Sequence, residues 1–471
     1  MAYQKETRSV RRPRLLAVLP YGMALRNILL NAPLWSYLTR TFAIDLVTPV
    51  ELVNSRDLQI SNIVSRPFFE RGILPRIRRA CLEFLASVDQ LAFFMQANEA
   101  ESFRSIYRYS LIERSTARKL FNWWIGGTRI ARSLKGFVKG LVAMAASPDT
   151  RMYDVVLLGH NAERECIRYG ILANQQSTPV VCVCMGLDNL MHGPLVFVPD
   201  LLLVWGEEQH RDFAAQLAFN PECAHTVCVR VGSTIHDTYL NSGFTLDVNK
   251  LYALESEDTV ILFPAYVEKY LPFQVALCEV VLDYIRRSPR KLKLLVRLRP
   301  GFDEQMWRDL QDRYPHEVRL QIPLSSSFDK SGNVQMFDVN RETEDVELFA
   351  ATLRRVAVLV TPTFSTMETD AHLFGKPSIN AIFNPECRDE RHPNLTWYLA
   401  GLAKTPEWGS MMVATSREEL HEYLAMVLER VTRDSHSMRS LFEFRATAAD
   451  GRAGERAVSA IRDFISVRRT A

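Results

Sequence analysis

Several common signatures are absent from this sequence of 471 residues. No stretch reaches the roughly 18 uninterrupted apolar residues that a membrane-spanning helix needs, so no such helix is predicted. The eight cysteines contain no Cys-x-x-Cys pair, which predicts reduced thiols in a cytosolic protein. The basic segment ahead of Leu15 lacks the apolar h-region of a secretory signal, so no signal is predicted.

The signatures of cofactor, metal and nucleic-acid sites are also missing. The first strand–helix unit has only Gly22 where a dinucleotide site would have Gly-x-Gly-x-x-Gly, which disfavours a dinucleotide cofactor. No Asp-x-Asp cluster occurs, which argues against an obligatory metal site. The net charge of +3 is small and no RNP, KH or helix-turn-helix pattern is present, so nucleic acid is not predicted as a partner.

The sequence does have an alternation of short apolar runs and helical stretches, which is typical of parallel sheets covered on both faces. The predicted strands lie near residues 15–19, 44–47, 155–158, 180–183, 199–205, 226–231, 259–263, 292–296, 318–322 and 356–360. We predict an α/β protein with two doubly wound Rossmann-like domains that face a central cleft. The first domain spans 1–240, a linker covers 241–257, and the second domain, with a helical tail, spans 258–471.

The first domain contains a predicted helical insert at about 68–146 with a different composition. Residues 71–140 carry 13 Lys or Arg against five Asp or Glu, together with aromatic residues such as Phe121, Trp123 and Trp124. Basic helices with such aromatic residues can lie on an anionic membrane face. A helical insert whose arginines are solvated would have the same composition, and both interpretations stay open.

The segment 356–382 contains the clearest candidate site. A buried strand at its start is followed by Ser365, a good helix N-cap, and Glu368 three residues later completes a capping box. Gly375 is placed to end the helix. Free N–H groups and the positive helix end at the carboxyl edge of a sheet suit a phosphate, and Asp370 could reach a ribose diol. The alternative is that Ser365 and Glu368 only cap the helix and that Asp370 is solvated.

The same segment resembles a known pattern. Ser365-Thr366, Asp370 and Gly375-Lys376-Pro377 are similar to the donor site of bacterial capsule and lipopolysaccharide glycosyltransferases, which have the glycosyltransferase-B architecture. The resemblance implies that Ser365 and Thr366 hold the donor phosphates and that Asp370 holds the ribose hydroxyls. It also implies an acceptor-side first domain and a donor-side second domain. That family often has Glu at the position of Asp370, whereas Asp is common in the related CDP-polyol phosphotransferases.

Two further stretches carry the resemblance. The strand that ends in Arg297-Leu298-Arg299-Pro300 resembles a strand of the same glycosyltransferase family that usually ends in Arg-x-His-Pro. Arg297 or Arg299 would then neutralise a diphosphate, because a guanidinium fork suits phosphate oxygens. Tyr266 follows the strand at 259–263 and is a further candidate on the donor side. Gly232-Ser233 with Asp237 resembles the end of the amino half of surface-polysaccharide enzymes.

The candidate catalytic residues follow predicted strands of the first domain, where parallel sheets bind their ligands. If transfer inverts the anomeric centre, a base is needed near the acceptor hydroxyl, and the candidates in order are His160, Glu163 and Asp188. Arg26 and Asn27, near the start of the first helix, could hold a ligand. Each of these five residues is also typical of a cap, a turn or a solvated helix start.

The predicted function is metal-independent transfer of a sugar from a nucleotide-activated donor to a surface-polysaccharide or lipid-linked acceptor. No cofactor besides the donor is expected. The protein is expected in the cytoplasm, with peripheral attachment to an anionic inner-membrane surface as an open alternative. Three other functions stay open: a CDP-polyol phosphotransferase, a nucleotide-sugar epimerase of the same architecture, and a non-catalytic polysaccharide-assembly subunit, which Arg299 in place of His would fit.

Overall fold

A computed structural model of the chain describes most of both predicted domains. The described residues are 12–20, 22–65, 138–139, 149–161, 163–187, 189–191, 195–217, 220–241, 246–266, 271–299, 304–324, 336–362, 365–386, 412–429 and 435–470. The basic insert predicted at about 68–146 lies outside these residues, except for Val138 and Lys139. No helix within the described ranges is both long enough and apolar enough to cross a membrane.

Seven parallel strands form the sheet of the first half. In chain order the strands of this half are β1 Arg14–Val18, β2 Ala43–Thr48, β3 Glu51–Val53, β4 Asn62–Ser65, β5 Val155–Leu158, β6 Val180–Val183, β7 Leu201–Val204 and β8 Val227–Arg230. All except β3 belong to this sheet, whose spatial order is β4-β2-β1-β5-β6-β7-β8. The order therefore reverses between β1 and β5, as it does in doubly wound sheets.

The helices of the first half are α1 Gly22–Leu29, α2 Ala32–Thr41, α3 Arg164–Gln175, α4 Glu207–Leu217 and α5 Thr234–Asn241. The apolar spacing of the sequence predicts one helix from about residue 23 to 40, and this prediction is wrong because the structure has two helices there. Asn31 interrupts it, because its side-chain oxygen accepts a hydrogen bond from the Leu34 backbone N–H at 2.9 Å and so starts a new helix. Pro33, in the first turn of α2, has no N–H with which to continue the preceding helix.

The second half repeats this architecture with a six-stranded parallel sheet. The strands of this half are β9 Thr259–Pro264, β10 Leu292–Arg297, β11 Val318–Gln321, β12 Met336–Asp338, β13 Val358–Thr361, β14 Ser378–Ala381 and β15 Met412–Ala414, and all except β12 belong to the sheet. The sheet order is β11-β10-β9-β13-β14-β15, so the reversal lies between β9 and β13. The helices from here to the end are α6 Val248–Leu251, α7 Gln274–Arg287, α8 Gln305–Arg313, α9 Val339–Arg355, α10 Thr366–Leu373, α11 Arg417–Glu429, α12 Ser435–Ala446 and α13 Ala453–Thr470.

Each sheet has an apolar cluster on both faces, which explains why its strands are apolar throughout. In β1, Leu16 and Val18 join one cluster while Leu15 and Ala17 join the other, as expected for side chains that alternate across a sheet. The second sheet divides in the same way. The predicted pair of doubly wound Rossmann-like units is thereby confirmed.

The two halves are joined by a small sheet that the sequence did not predict. Strand β3 of the first half pairs in parallel with β12 of the second half. Next to this pair, Asn54 donates a hydrogen bond from Nδ2 to Asp338 Oδ1 at 2.9 Å. Because β3 follows the carboxyl end of β2, this contact lies at the carboxyl edge of the first sheet.

The carboxyl-terminal helix also joins the halves, because α13 returns to the first half. Ala457 and Ile461 are buried in a cluster beneath the first sheet. Asp237, the acid of the Gly-Ser-x-x-x-Asp stretch, holds the start of α13. Its carboxylate accepts hydrogen bonds from the backbone N–H groups of Ala453 at 2.8 Å and Gly454 at 2.6 Å. In the structure, therefore, Asp237 caps a helix.

Candidate functional site

The carboxyl edges of both sheets border the interface between the halves. Helix α1, which follows β1, carries Arg26, and this side chain contacts Glu342 and Asp345 on α9 of the second half. Helix α5, which follows β8, carries His236, and this side chain contacts Asp370 on α10. Ligands of doubly wound sheets bind beyond the carboxyl ends of the strands. The interface is therefore the candidate site.

Helix α10 begins at this interface as the sequence predicted. The Met367 backbone N–H donates to Ser365 Oγ at 3.2 Å, and the Ser365 N–H donates to Glu368 Oε1 at 3.2 Å, so the predicted capping box is confirmed. Gly375 follows the last turn with φ of +66°, a conformation that favours glycine. Ser365 and Thr366 are half-buried. A capped, partly accessible helix start with a positive end stands at the end of β13.

Asp370 is buried, so the interpretation of a solvated carboxylate was wrong. It is only 6% exposed, and its Oδ1 lies 2.9 Å from His236 Nε2. His236 is itself 3% exposed and comes from the first half. The sequence did not indicate this pair, because 134 positions separate the two residues. Whether Asp370 contacts a ribose remains a prediction.

Arg297 is buried in an ion network that crosses the interface. Its Nη2 donates to Asp345 Oδ2 at 2.9 Å, and its guanidinium lies 4.5 Å from the centre of the Phe349 ring. Arg26 of the first half donates from Nη2 to the same Asp345 oxygen at 2.9 Å. Burial alone would raise the pKa of Asp345, but the two guanidinium groups lower this pKa below its usual value. Asp345 thus accepts a hydrogen bond from one arginine of each half.

The other donor-side candidates lie at neighbouring strand ends. Arg299 lies just beyond β10 and is exposed, whereas Tyr266 lies just beyond β9 and is half-buried. Gln274 fixes the backbone at Tyr266 twice: Gln274 Oε1 accepts from the Tyr266 N–H at 2.7 Å, and Gln274 Nε2 donates to the Tyr266 carbonyl at 3.1 Å. Because β10, β9 and β13 are adjacent, the structure brings Arg299, Tyr266 and Ser365 to one edge of the second sheet.

The predicted catalytic candidates lie on the first half. His160 is 8% exposed and stands beyond β5, where its Nδ1 accepts a hydrogen bond from the Glu163 backbone N–H at 3.1 Å. A neutral His160 therefore carries its proton on Nε2. Glu163 is half-buried at the N-cap of α3, but its side chain makes no capping hydrogen bond. Asp188 lies outside the described residues. Asn27, the other polar residue noted on α1, is buried and donates to the Met185 carbonyl at 3.2 Å.

A buried ion triad beneath α10 was missed by sequence reasoning. Arg445 of α12 is 0% exposed, and its Nε lies 3.3 Å from Glu208 Oε2 while its Nη1 lies 3.7 Å from Glu368 Oε2. Burial raises the pKa of Glu368, and Arg445 opposes this rise. One signal was present in the sequence: Arg445 follows the apolar residues Leu441 and Phe442 at helical spacing, which places a charge on the buried face. Because Glu368 belongs to both the triad and the capping box, its contact with Arg445 helps to hold the side chain that completes the cap.

His372, also on α10, is held in the neutral form. Its Nε2 lies 3.0 Å from Ser378 Oγ. Burial, with a contribution from Arg445, lowers the pKa of His372 to about 3. Elsewhere, the described part of the chain contains no group of three or more His, Cys, Asp or Glu side chains placed to hold a metal ion.

Comparisons with known proteins identify the fold. No family model matches the sequence, and no curated protein matches it. Among solved structures, the UDP co-structure of S. aureus MnaA aligns with a TM-score of 0.52 and 13% identity over 96% of this chain and 97% of that chain. The UDP-GlcNAc 2-epimerase of Neisseria meningitidis bound to UDP-GlcNAc aligns with a TM-score of 0.51 and 12% identity over 96% of this chain and 100% of that chain. The glycotransferase of kitacinnamycin aligns with a TM-score of 0.51 and 10% identity over 96% of this chain and 99% of that chain.

At identities this low the alignments establish the fold alone, and they agree with the sheet orders described above. Each half is a doubly wound parallel sheet, and the two halves meet at the carboxyl edges of their strands. This chain has the glycosyltransferase-B architecture.

Proposed function

We propose that this protein transfers a sugar from a nucleotide-activated donor to a glycan or lipid-linked acceptor. The observation that carries the proposal is the capped start of α10, which follows β13 where the strand order of the second sheet reverses. Ser365 and Thr366 are accessible there, and Tyr266 and Arg299 stand at neighbouring strand ends. A positive helix end beside a guanidinium suits a diphosphate. Two structures of the same fold contain UDP or UDP-GlcNAc, which supports this choice.

The proposed roles follow from the chemistry of the leaving group. Negative charge develops on the nucleotide as the glycosidic bond breaks, and fixed dipoles and cations lower the barrier by stabilising this charge. Ser365, Thr366 and the N–H groups of α10 bind the phosphates, and Arg299 is the accessible cation beside them. Arg297 is already paired with Asp345, so it acts mainly by holding the end of β10. Asp370 accepts from the ribose hydroxyls.

For the base, we favour Glu163 over His160, because a carboxylate can accept a proton whereas the protonated ring nitrogen of a neutral imidazole cannot. The Nδ1 lone pair of His160 is occupied, and the proton on Nε2 makes that edge a donor. The side chain of Glu163 is half-buried and does not cap its helix. Glu163→Gln should lower the transfer rate about 100-fold or more while leaving the Kd for nucleotide unchanged. Glu222→Gln, on an exposed side chain of the same half, is the control. Equal rates for Glu163→Gln and wild type would remove Glu163 from this role.

The donor site is tested by removing its hydroxyls. Ser365→Ala combined with Thr366→Val should weaken binding of the preferred nucleotide among UDP, CDP and GDP about tenfold or more, because hydrogen bonds to charged groups are lost. Loss of the cap also costs about 1 kcal/mol of stability. Asp247→Ala removes a comparable cap from α6 and should leave the Kd unchanged. Isothermal titration calorimetry gives both values, and an unaltered Kd in the double variant would disprove this site.

An epimerase of the same architecture is the second candidate, because several of the aligned structures are UDP-GlcNAc 2-epimerases. Incubation with UDP-GlcNAc and no acceptor separates the two: an epimerase forms the C2 epimer, whereas a transferase needs an acceptor. Preferential binding of CDP and turnover of CDP-polyols would instead indicate the phosphotransferase. Absence of any nucleotide binding would favour a non-catalytic assembly subunit. The cytoplasmic location, with membrane attachment through residues 71–140, stays a prediction.

A further inference from the structure

His236 and Asp370 form a buried contact between the two halves. His236 lies on α5 of the first half and Asp370 lies on α10 of the second half, with 2.9 Å between Nε2 and Oδ1. Their side chains are 4% and 9% exposed. A carboxylate in such a place needs a hydrogen-bond donor, since burial without one is costly. His236 supplies that donor from across the interface.

The surroundings of His236 indicate which of its two ring nitrogens carries the proton. Its ring centre lies 5.5 Å from that of Trp205, 6.0 Å from that of Tyr239 and 5.4 Å from that of Phe442. Nδ1 has no hydrogen-bond partner among the described residues. A proton on Nδ1 would be a buried, unsatisfied donor, so the tautomer with the proton on Nε2 is favoured. His236 therefore donates to Asp370 Oδ1, and the aromatic rings hold the imidazole in that orientation.

We propose that His236 is the positioning residue that sets Asp370 for the ribose of the donor and thereby selects ribonucleotides over deoxyribonucleotides. This inference rests on the proposed function. The His236 donor engages Oδ1 and fixes the carboxylate in one orientation, so Oδ2 is directed to the ribose hydroxyls. A polar group fixed before binding loses little freedom on binding, which increases discrimination between a ligand with the hydroxyl and one without it.

The pair also makes donor recognition depend on both halves. Asp370 belongs to the half that binds the nucleotide, whereas its orienting group belongs to the half that carries the proposed base, Glu163. Ribose recognition is therefore complete only when α5 and α10 are in contact. A nucleotide that lacks the 2′-hydroxyl loses the hydrogen bond from that hydroxyl to Asp370 and keeps only the bond that its 3′-hydroxyl can donate.

The test measures selectivity rather than affinity alone. UDP, CDP and GDP are titrated into the full-length protein, and the tightest ligand is compared with its 2′-deoxy form. Wild type should bind the ribonucleotide about tenfold or more tightly than the deoxy form. In His236→Phe, which keeps a ring but has no donor, this ratio should fall close to one. His236→Gln places an amide N–H near the same carboxylate and should restore most of the ratio.

A purely structural role for His236 predicts a different pattern. Phe442→Leu disturbs the same aromatic surroundings and should lower the melting temperature while keeping the ribo-to-deoxy ratio. If His236→Phe keeps the wild-type ratio, or binds the ribonucleotide more tightly, the inference is overturned. A wild-type ratio near one would also overturn it while leaving the donor site in place. Failure of wild type to bind any of the three nucleotides would overturn the proposed function itself.

Discussion

Replacing Arg445 with methionine is expected to lower the free energy of unfolding by about 3–5 kcal/mol, because two buried carboxylates lose the guanidinium that lies between them. Methionine is similar in length to the arginine stem, so the loss is mainly electrostatic. Arg439→Met is the matched control. Arg439 lies on the same helix but is 72% exposed in an i,i+4 pair with Glu443, and its replacement should cost less than about 1 kcal/mol.

The pH dependence of the Arg445 variant has a definite sign. The pKa of Glu368 is already raised by burial, and loss of the guanidinium raises it further. Above pH 4.5, the usual value for Glu, the folded variant then holds more protons than the unfolded chain. Its stability therefore decreases as the pH rises, and the deficit relative to wild type should grow between pH 4.5 and 7. Urea denaturation at several pH values measures this.

Neutralising the remaining members of the triad should rescue the variant. In Arg445→Met combined with Glu208→Gln and Glu368→Gln no charge is left uncompensated, and most of the lost stability should return. Gln at 368 can still accept from the Ser365 N–H, so the capping box survives. A wild-type free energy of unfolding for Arg445→Met alone, or no recovery in the triple variant, would contradict the role assigned to the triad.

Asp345→Ala should produce a loss of similar size, about 3–5 kcal/mol, at the interface between the halves. Asp345 is 0% exposed and accepts from Arg26, from Arg297 and from the Leu324 backbone N–H. Arg26 would keep its contact with Glu342, but Arg297, which is 9% exposed, would lose its partner in a buried place. Thermal denaturation followed by calorimetry gives the change in stability.

Asp283→Ala makes the same substitution at an exposed ion pair of the same half, with Arg417, and should cost less than about 1 kcal/mol. Asp345→Asn keeps the volume and an acceptor oxygen, so its stability should lie between those of wild type and Asp345→Ala. Equal stabilities for Asp345→Ala and Asp283→Ala would show that the network across the interface contributes no more than a surface pair.

Local signals in the sequence were sufficient for most strands of each sheet. The apolar runs predicted β5 and β6 at the residues where they occur, because a strand buried on both faces must be apolar at every position. The capping box of α10 was equally readable, since Ser365 and Glu368 lie within one turn. The strands β3, β4, β12 and β15 were not predicted, because none of them contains four consecutive apolar residues as β5 and β6 do.

The break between α1 and α2 shows how a local rule was overlooked. The apolar spacing continues through residues 22–41, and the periodicity alone therefore indicates one helix. Asn31 and Pro33 together favour a new helix start, because one residue supplies a cap and the other fits only a first turn. The Asn31 side chain also donates to the Thr234 carbonyl at 2.8 Å, a contact that holds α2 against α5. The cap was predictable, whereas the contact was not.

The amino-acid sequence by itself determined the two doubly wound sheets, the helix start at Ser365 and the grouping of candidate residues at strand ends. These features depend on hydrogen bonds and periodicities within a few neighbouring residues. Only the tertiary structure decided that Asp370 meets His236, that Asp345 joins Arg26 to Arg297, and that Arg445 lies between Glu208 and Glu368. These contacts join residues from different elements or from different halves. No local pattern encodes them, because charges become partners only when packing removes them from water together.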